Sequence, residues 1–132
     1  MTFSPAACST ILQYLEDTGT TPEDYDVIYT GDLGTVGSQL LYELGAKGGI
    51  ELSEKHNDFG MMIFDIEAQD VHAGASGCGC SASMMSSYIM EQMNKGNLKN
   101  ILYCATGALL SPTSVLQGES IPAICHLVNI QI

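Results

Sequence analysis

Short apolar runs that empty into glycine-rich turns constrain this chain most. Residues 25–37 read YDVIYTGDLGTVG, residues 69–83 read QDVHAGASGCGCSAS, and residues 98–114 read LKNILYCATGALLSPTS. The first two of these turns run on into helical patterns. Strands alternating with helices call for helices packed on a sheet, so the expectation is an α/β fold. In open sheets of that kind, ligands sit in the loops beyond the carboxyl ends of the strands. These loops are therefore where function is expected.

A pass along the chain fills in the pattern. Ser4 before Pro5 reads as a helix N-cap, with Ala7, Ile11 and Leu15 on one face as far as about Asp17, and Thr18-Gly19 as the stop. Residues 26–30 read as a strand. A helix follows Asp32-Leu33, with Val36, Leu40 and Leu44 in register, and ends at Gly45. Residues 48–60 read as a loop, with His56 exposed beside Asn57 and Asp58, and residues 61–64 as a short apolar strand. Residues 80–95 read as a third helix, apolar at Ala82, Met85, Ile89 and Met93. Met84, Met85, Met90 and Met93 have helical spacing and serve packing. Residues 100–106 and 123–132 are strands with only a connection between them, which predicts an antiparallel or mixed edge. The expected architecture is a mixed sheet of about four to five strands flanked by helices. A chain of 132 residues makes one domain.

Charge excludes several functions. Fifteen acids against four lysines or arginines leave a net charge of -11, and all four cations are lysine. Such a surface repels nucleic acid and anionic headgroups, and it lacks the guanidinium fork that usually holds carboxylates. An anion would have to be met by backbone N–H groups, hydroxyls and helix N-termini. The start MTFSPAACSTI lacks the basic flank of a secretory signal. An odd count of five cysteines fits a reducing compartment. Cys78-x-Cys80 without a second cluster is a poor zinc signal. Cys104 and Cys125 lie in apolar strands as small core residues.

The loops hold the candidate site. Asp32 either caps the following helix, or caps it and also touches a ligand, or acts as a base. Gly74, Gly77 and Gly79, with Ser76, Cys78, Ser81 and Ser83, form either a structural turn or one wall of a pocket at a helix start. Cys78 is a nucleophile only if a base such as His72 reaches it. Thr106, Gly107, Ser111 and Thr113 offer hydroxyls and open backbone to a polar ligand, although local turns explain them equally well.

The combination TGDLGxVG, HNDFG, QDVHAGxSGCGCSA, ATGALLSPTS and ESIPAICH resembles the stage V sporulation protein AD family, specifically its C-terminal half, over nearly the whole chain. That family is similar to thiolases and β-ketoacyl synthases of the III type. The resemblance implies one half of a five-layer αβαβα body, its first strand missing or reduced to residues 1–3, and an N-terminal half that is absent. The synthases carry a histidine after the strand matching residues 26–30, where this chain has Gly31-Asp32. They carry an asparagine in the loop matching residues 74–83, where Ala75 follows Gly74. Without those oxyanion and carbanion partners, condensing chemistry is not expected.

The resemblance implies instead a non-catalytic protein without a cofactor. It would bind dipicolinic acid, with calcium possible alongside it, and assist its uptake into the developing spore. The implied ligand-binding residues are Asp32, Ser76, Cys78, Thr106, Gly107, Ser111 and Thr113. The implied partners are the missing half, membrane channel proteins of the same sporulation system and a second copy. The implied location is peripheral, on the cytoplasmic side of the forespore inner membrane. An acyltransferase-like subunit and a purely structural dimerisation half are the alternatives.

Overall fold

In the computed structural model, which describes residues 3–75, 77–109 and 111–132, a four-stranded sheet carries helices on both faces. The elements in chain order are α1 (Ser4–Thr18), β1 (Val27–Thr30), α2 (Gly34–Lys47), β2 (His56–Asp58), α3 (Phe59–Met62), α4 (Cys80–Met84), α5 (Met90–Asn94), β3 (Asn100–Ala108), α6 (Pro112–Leu116) and β4 (Ala123–Gln131). A π-helical turn, Met85–Ile89, joins α4 to α5, so the three run as one continuous helix. The strand order is β2-β1-β3-β4. β1 pairs parallel with both β2 and β3, and β3 pairs antiparallel with β4 from Asn100↔Gln131 to Ala108↔Ala123. The expected mixed edge is therefore present.

Alternation along β3 divides the core. Leu102 and Cys104 face α1 and α2, packing with Ile11, Ile28 and Leu41. Ile101 faces the other way, with Tyr29, Phe59, Ile89 and Met93. This is the period-two geometry of a strand covered on both sides. Phe59 is fully buried between two tyrosines, its ring stacked 5.0 Å from Tyr29 and 5.6 Å from Tyr103.

Helix α1 follows its sequence pattern. Ala7, Cys8, Ile11 and Leu15 are buried, and Gly19 closes the helix in the left-handed conformation at φ 64°. Ser4 is not its cap. Its hydroxyl donates 2.7 Å to the Gly37 carbonyl and pins α1 to α2. The buried stripe of α2 is Gly34, Gly37, Ser38, Leu41 and Gly45, while Val36 is 71% exposed. Small residues let α1 and α2 approach closely, so the stripe with fewest large apolar groups is the one that packs.

The expected loop at 48–60 and strand at 61–64 are both corrected. The strand is β2, formed by His56, Asn57 and Asp58, and the apolar residues after it form the single turn α3. Polar residues make this strand because the His56 and Asp58 side chains are satisfied inside the fold, as described below, while Asn57 faces outward. His56 is buried, not exposed.

The third helix is also shifted. Cys80, Met84, Ile89 and Met93 are buried, whereas Ala82 is exposed. The step from Met84 to Ile89 is five residues, which a regular helix cannot keep on one face. The π turn absorbs the extra residue and returns Ile89 to the core. Among the described residues no helix is long and apolar enough to cross a membrane.

Candidate functional site

The carboxyl ends of β1 and β3 lie side by side because Thr30 pairs with Cys104. The β1–α2 turn therefore sits next to Thr106, and the Thr106 hydroxyl donates 2.9 Å to the carboxylate of Asp32. Gly31 between them has no room for a side chain. A Cβ there would stand 2.9 Å from the Ser81 hydroxyl and 3.2 Å from that of Thr106. Asp32, Ser81 and Thr106 thus converge on one backbone position from three elements. Beside them lies a cleft of about 280 Å³ whose walls include Ser4, Asp32, Gly34, Val36, Ala73 and Ala75.

Asp32 does not cap α2, and that expectation is corrected. The residue before the helix is Leu33, with no side-chain cap, and the open N–H groups of Leu33 and Gly34 are taken by Asp58 from another strand. Asp58 Oδ1 accepts from Leu33 N at 2.9 Å and from the Thr30 hydroxyl at 2.5 Å, and Oδ2 accepts from Gly34 N at 3.0 Å. Gly60 packs against Oδ2, and its backbone N–H helps to favour the carboxylate. Burial pushes the Asp58 carboxyl above its ordinary range, and these donors pull it back.

Behind Asp58 the network continues. Thr30 Oγ1 lies 2.8 Å from His56 Nε2, and His56 Nδ1 lies 2.9 Å from the Tyr42 hydroxyl. Burial lowers His56 to about 4, so the imidazole is neutral near pH 7. None of these four residues was singled out as part of the site from sequence. The available signal was the polar pair His56 and Asp58 at i, i+2, directly before a fully buried Phe59. On a strand that spacing puts both side chains on one face.

Of the other expected site residues, Ser76 lies outside the described residues. Cys78 is exposed, and His72 places Nδ1 3.7 Å from Asp70. Cys80 is buried, its thiol raised first by desolvation and then by the Asp58 and Asp32 charges, with Sγ 3.8 Å from the Gly31 carbonyl. It is a neutral packing group. Gly107 faces Ile124 on β4, the opposite side of β3 from Thr106. Ser111 is the N-cap of α6, its Oγ accepting from Ser114 N at 3.4 Å, and Thr113 stands on that helix, exposed. The structure thus unites Asp32 and Thr106, adds Ser81, and gives Ser111 a structural task.

This arrangement offers a carboxylate in a strand-end cleft, with the Ser81 and Thr106 hydroxyls grouped beside it at Gly31. The family model for Stage V sporulation protein AD (SpoVAD) matches residues 1–131. The chain belongs to the SpoVAD family. It is 45% identical over 123 residues to Stage V sporulation protein AD of Bacillus subtilis (strain 168), a match that covers 93% of this chain. The match covers 36% of that relative, so the chain spans about a third of its length. Membership in the SpoVAD family supports a role in sporulation.

Proposed function

We propose that this SpoVAD-family chain contributes the C-terminal half of a non-catalytic protein that binds dipicolinic acid, free or as its calcium complex, and assists its uptake into the developing spore. The observation that carries the reading is the Thr106–Asp32 hydrogen bond at the cleft, with the Ser81 hydroxyl beside Gly31. These are hard oxygen donors of the kind that suit calcium. Asp32 alone repels a dicarboxylate, so a cation shared between Asp32 and the ligand resolves the charge conflict. Among the described residues no group of three or more His, Cys, Asp or Glu is gathered to hold a metal. In this reading calcium enters with the ligand, whose own carboxylates supply part of its shell.

Gly31-Asp32 and Gly74-Ala75 stand where the condensing enzymes resembled by this family carry histidine and asparagine. That substitution supports binding without catalysis. The missing N-terminal half, a second copy and membrane channel proteins of the sporulation system are the partners in this reading, at the cytoplasmic face of the forespore inner membrane. A net charge of -11 argues against nucleic acid.

A specific observation favours a docking role as a second reading. Ile124 and Val128 are 52% and 50% exposed, an apolar surface on β4, and Leu116 on α6 is 88% exposed.

Calorimetric titration of dipicolinate, with and without calcium, into this chain and into the longer protein tests the reading. Calcium-dependent binding to either supports it, and binding only to the longer form puts the pocket between the halves. No heat from either form removes the ligand and leaves docking.

A further inference from the structure

Three loops meet behind the candidate site, and the Asp58 carboxylate bonds directly to the backbone of one of them. The β1–α2 turn is held to Asp58 through Leu33 N and Gly34 N. The 73–75 loop is held to the same region by Thr35 N to Ala73 O at 2.9 Å and Ala75 N to Gly60 O at 2.7 Å. Gly60 itself lies against the Asp58 carboxylate, which a Cβ there would meet at 2.9 Å. Asp58 is fully buried, and so is Thr30. Among the described residues, the hydrogen-bond partners of the carboxylate, Thr30, Leu33 and Gly34, are all donors.

The donors also fix the direction of the chain behind it. Thr30 has a single hydroxyl proton and gives it to Asp58 Oδ1, so His56 Nε2 must be the N–H partner and donate to Thr30 Oγ1. His56 Nδ1 then accepts from the Tyr42 hydroxyl. From Tyr42 on α2 through β2 and β1, each bond points toward the carboxylate. Such an aligned series polarises each member and strengthens the last bond.

We propose that Asp58 is the positioning residue of the site: anchored by the Tyr42–His56–Thr30 chain, its carboxylate holds the Gly31–Gly34 turn and thereby aims Asp32 at Thr106 and the cleft. Asp58 does not touch the ligand. The proposal depends on the dipicolinate reading only for which ligand loses affinity; the positioning itself is read from the protein alone.

The test is amide exchange and imidazole nitrogen shifts on the ¹⁵N-labelled chain, followed by titration with calcium dipicolinate. In Asp58→Asn one side-chain oxygen is replaced by an NH₂ that faces backbone N–H groups. Exchange at Leu33 and Gly34 should accelerate at least about tenfold while the β3 amides keep their protection. Thr30→Val keeps the shape and removes the link, and should accelerate Leu33 and move the His56 nitrogen shifts. In the unaltered chain His56 should show the Nε2–H tautomer.

Unchanged exchange at Leu33 and Gly34 in a folded Asp58→Asn chain overturns the proposal. If that variant does not fold, unchanged exchange in Thr30→Val overturns it instead, as does an Nδ1–H tautomer at His56. Where the unaltered protein binds calcium dipicolinate, Asp58→Asn should bind at least about tenfold more weakly; equal affinity with the turn loosened also overturns it. Where neither this chain nor the longer protein binds, the dipicolinate reading fails; where only the longer protein binds, the affinity comparison is made there, and in both cases the exchange data still decide the role of Asp58.

Discussion

Thr106 and Asp32 stand 74 residues apart in the chain and are joined by a hydrogen bond of 2.9 Å. The bond ties the end of β3 to the turn after β1, and its acceptor is a carboxylate in a partly buried position. Thr106→Val keeps the shape of the side chain and removes the donor. It should lower the unfolding free energy by about 1–2 kcal/mol, measured by urea denaturation. It should also weaken calcium dipicolinate about tenfold by calorimetry. A variant with unchanged stability and affinity would show that the hydroxyl contributes nothing at this site.

Stability should depend on pH through His56. Its folded pKa of about 4 lies below the ordinary 6.5, so the unfolded chain binds the extra proton first as pH falls. The stabilisation is complete above about pH 6.5 and is lost as pH drops toward about 4, roughly 3 kcal/mol in all. Asp58 has the opposite sign. Its raised pKa favours the folded state at low pH and loses that advantage as pH rises above the ordinary carboxylate value. The His56 slope should dominate between pH 6.5 and 5. Urea midpoints across this range should fall with pH in the unaltered chain and flatten in His56→Gln; identical slopes would reassign the effect.

Two glycines separate backbone strain from crowding. Gly34 has φ +71°, and a Cβ there would stand 2.6 Å from the Ala73 carbonyl oxygen, whereas Gly49 has φ +81° with nothing within 4 Å. Gly49→Ala should cost only the left-handed penalty, about 1 kcal/mol. Gly34→Ala should cost at least about 3 kcal/mol, because the 73–75 loop must move as well. Equal losses in chemical denaturation would mean that the loop yields freely.

Phe59 fills the layer between Tyr29 and Tyr103, with no exposed surface. Phe59→Ala should destabilise by about 3–5 kcal/mol, combining lost transfer energy with the cavity left between two rings. A loss below about 1 kcal/mol in thermal or urea unfolding would mean that the tyrosines close the gap.

The apolar surface on β4 yields a prediction about association. Ile124 and Val128 share one face and are each about half exposed. The chain should self-associate at tens of micromolar, and Ile124→Glu with Val128→Lys should shift it toward monomer in sedimentation velocity. A monomer before and after the substitutions would remove this surface as the cause.

The parts of this fold that were legible in sequence are those where burial and periodicity coincide. The stripe of α1, the stop at Gly19, the apolar β3 and its antiparallel partner all follow from residue pattern alone. The misread parts share a different cause. His56 and Asp58 look like surface residues until Thr30 and Tyr42 are brought against them by the β1–β2 pairing. Val36 looks like core until the Ser4–Gly37 bond shows which face of α2 meets α1. Met84 and Ile89 share a face only because the helix inserts a π turn, which no regular period anticipates. At the site, Asp32 and Thr106 were visible as strand-end polar residues, but the cap on α2 was assigned to the nearer carboxylate rather than to Asp58. Sequence proximity favoured Asp32; the sheet delivers Asp58.

Because Asp58 already occupies the first N–H groups of α2, the positive end of that helix is largely matched from within. A dianionic ligand approaching a chain of net charge -11 therefore meets net repulsion that this helix end does little to offset. Its capture should behave opposite to ordinary electrostatic steering. Added monovalent salt, by shortening the reach of that repulsion, should quicken association, and a ligand that arrives already neutralised by its cation should be the faster visitor at low ionic strength.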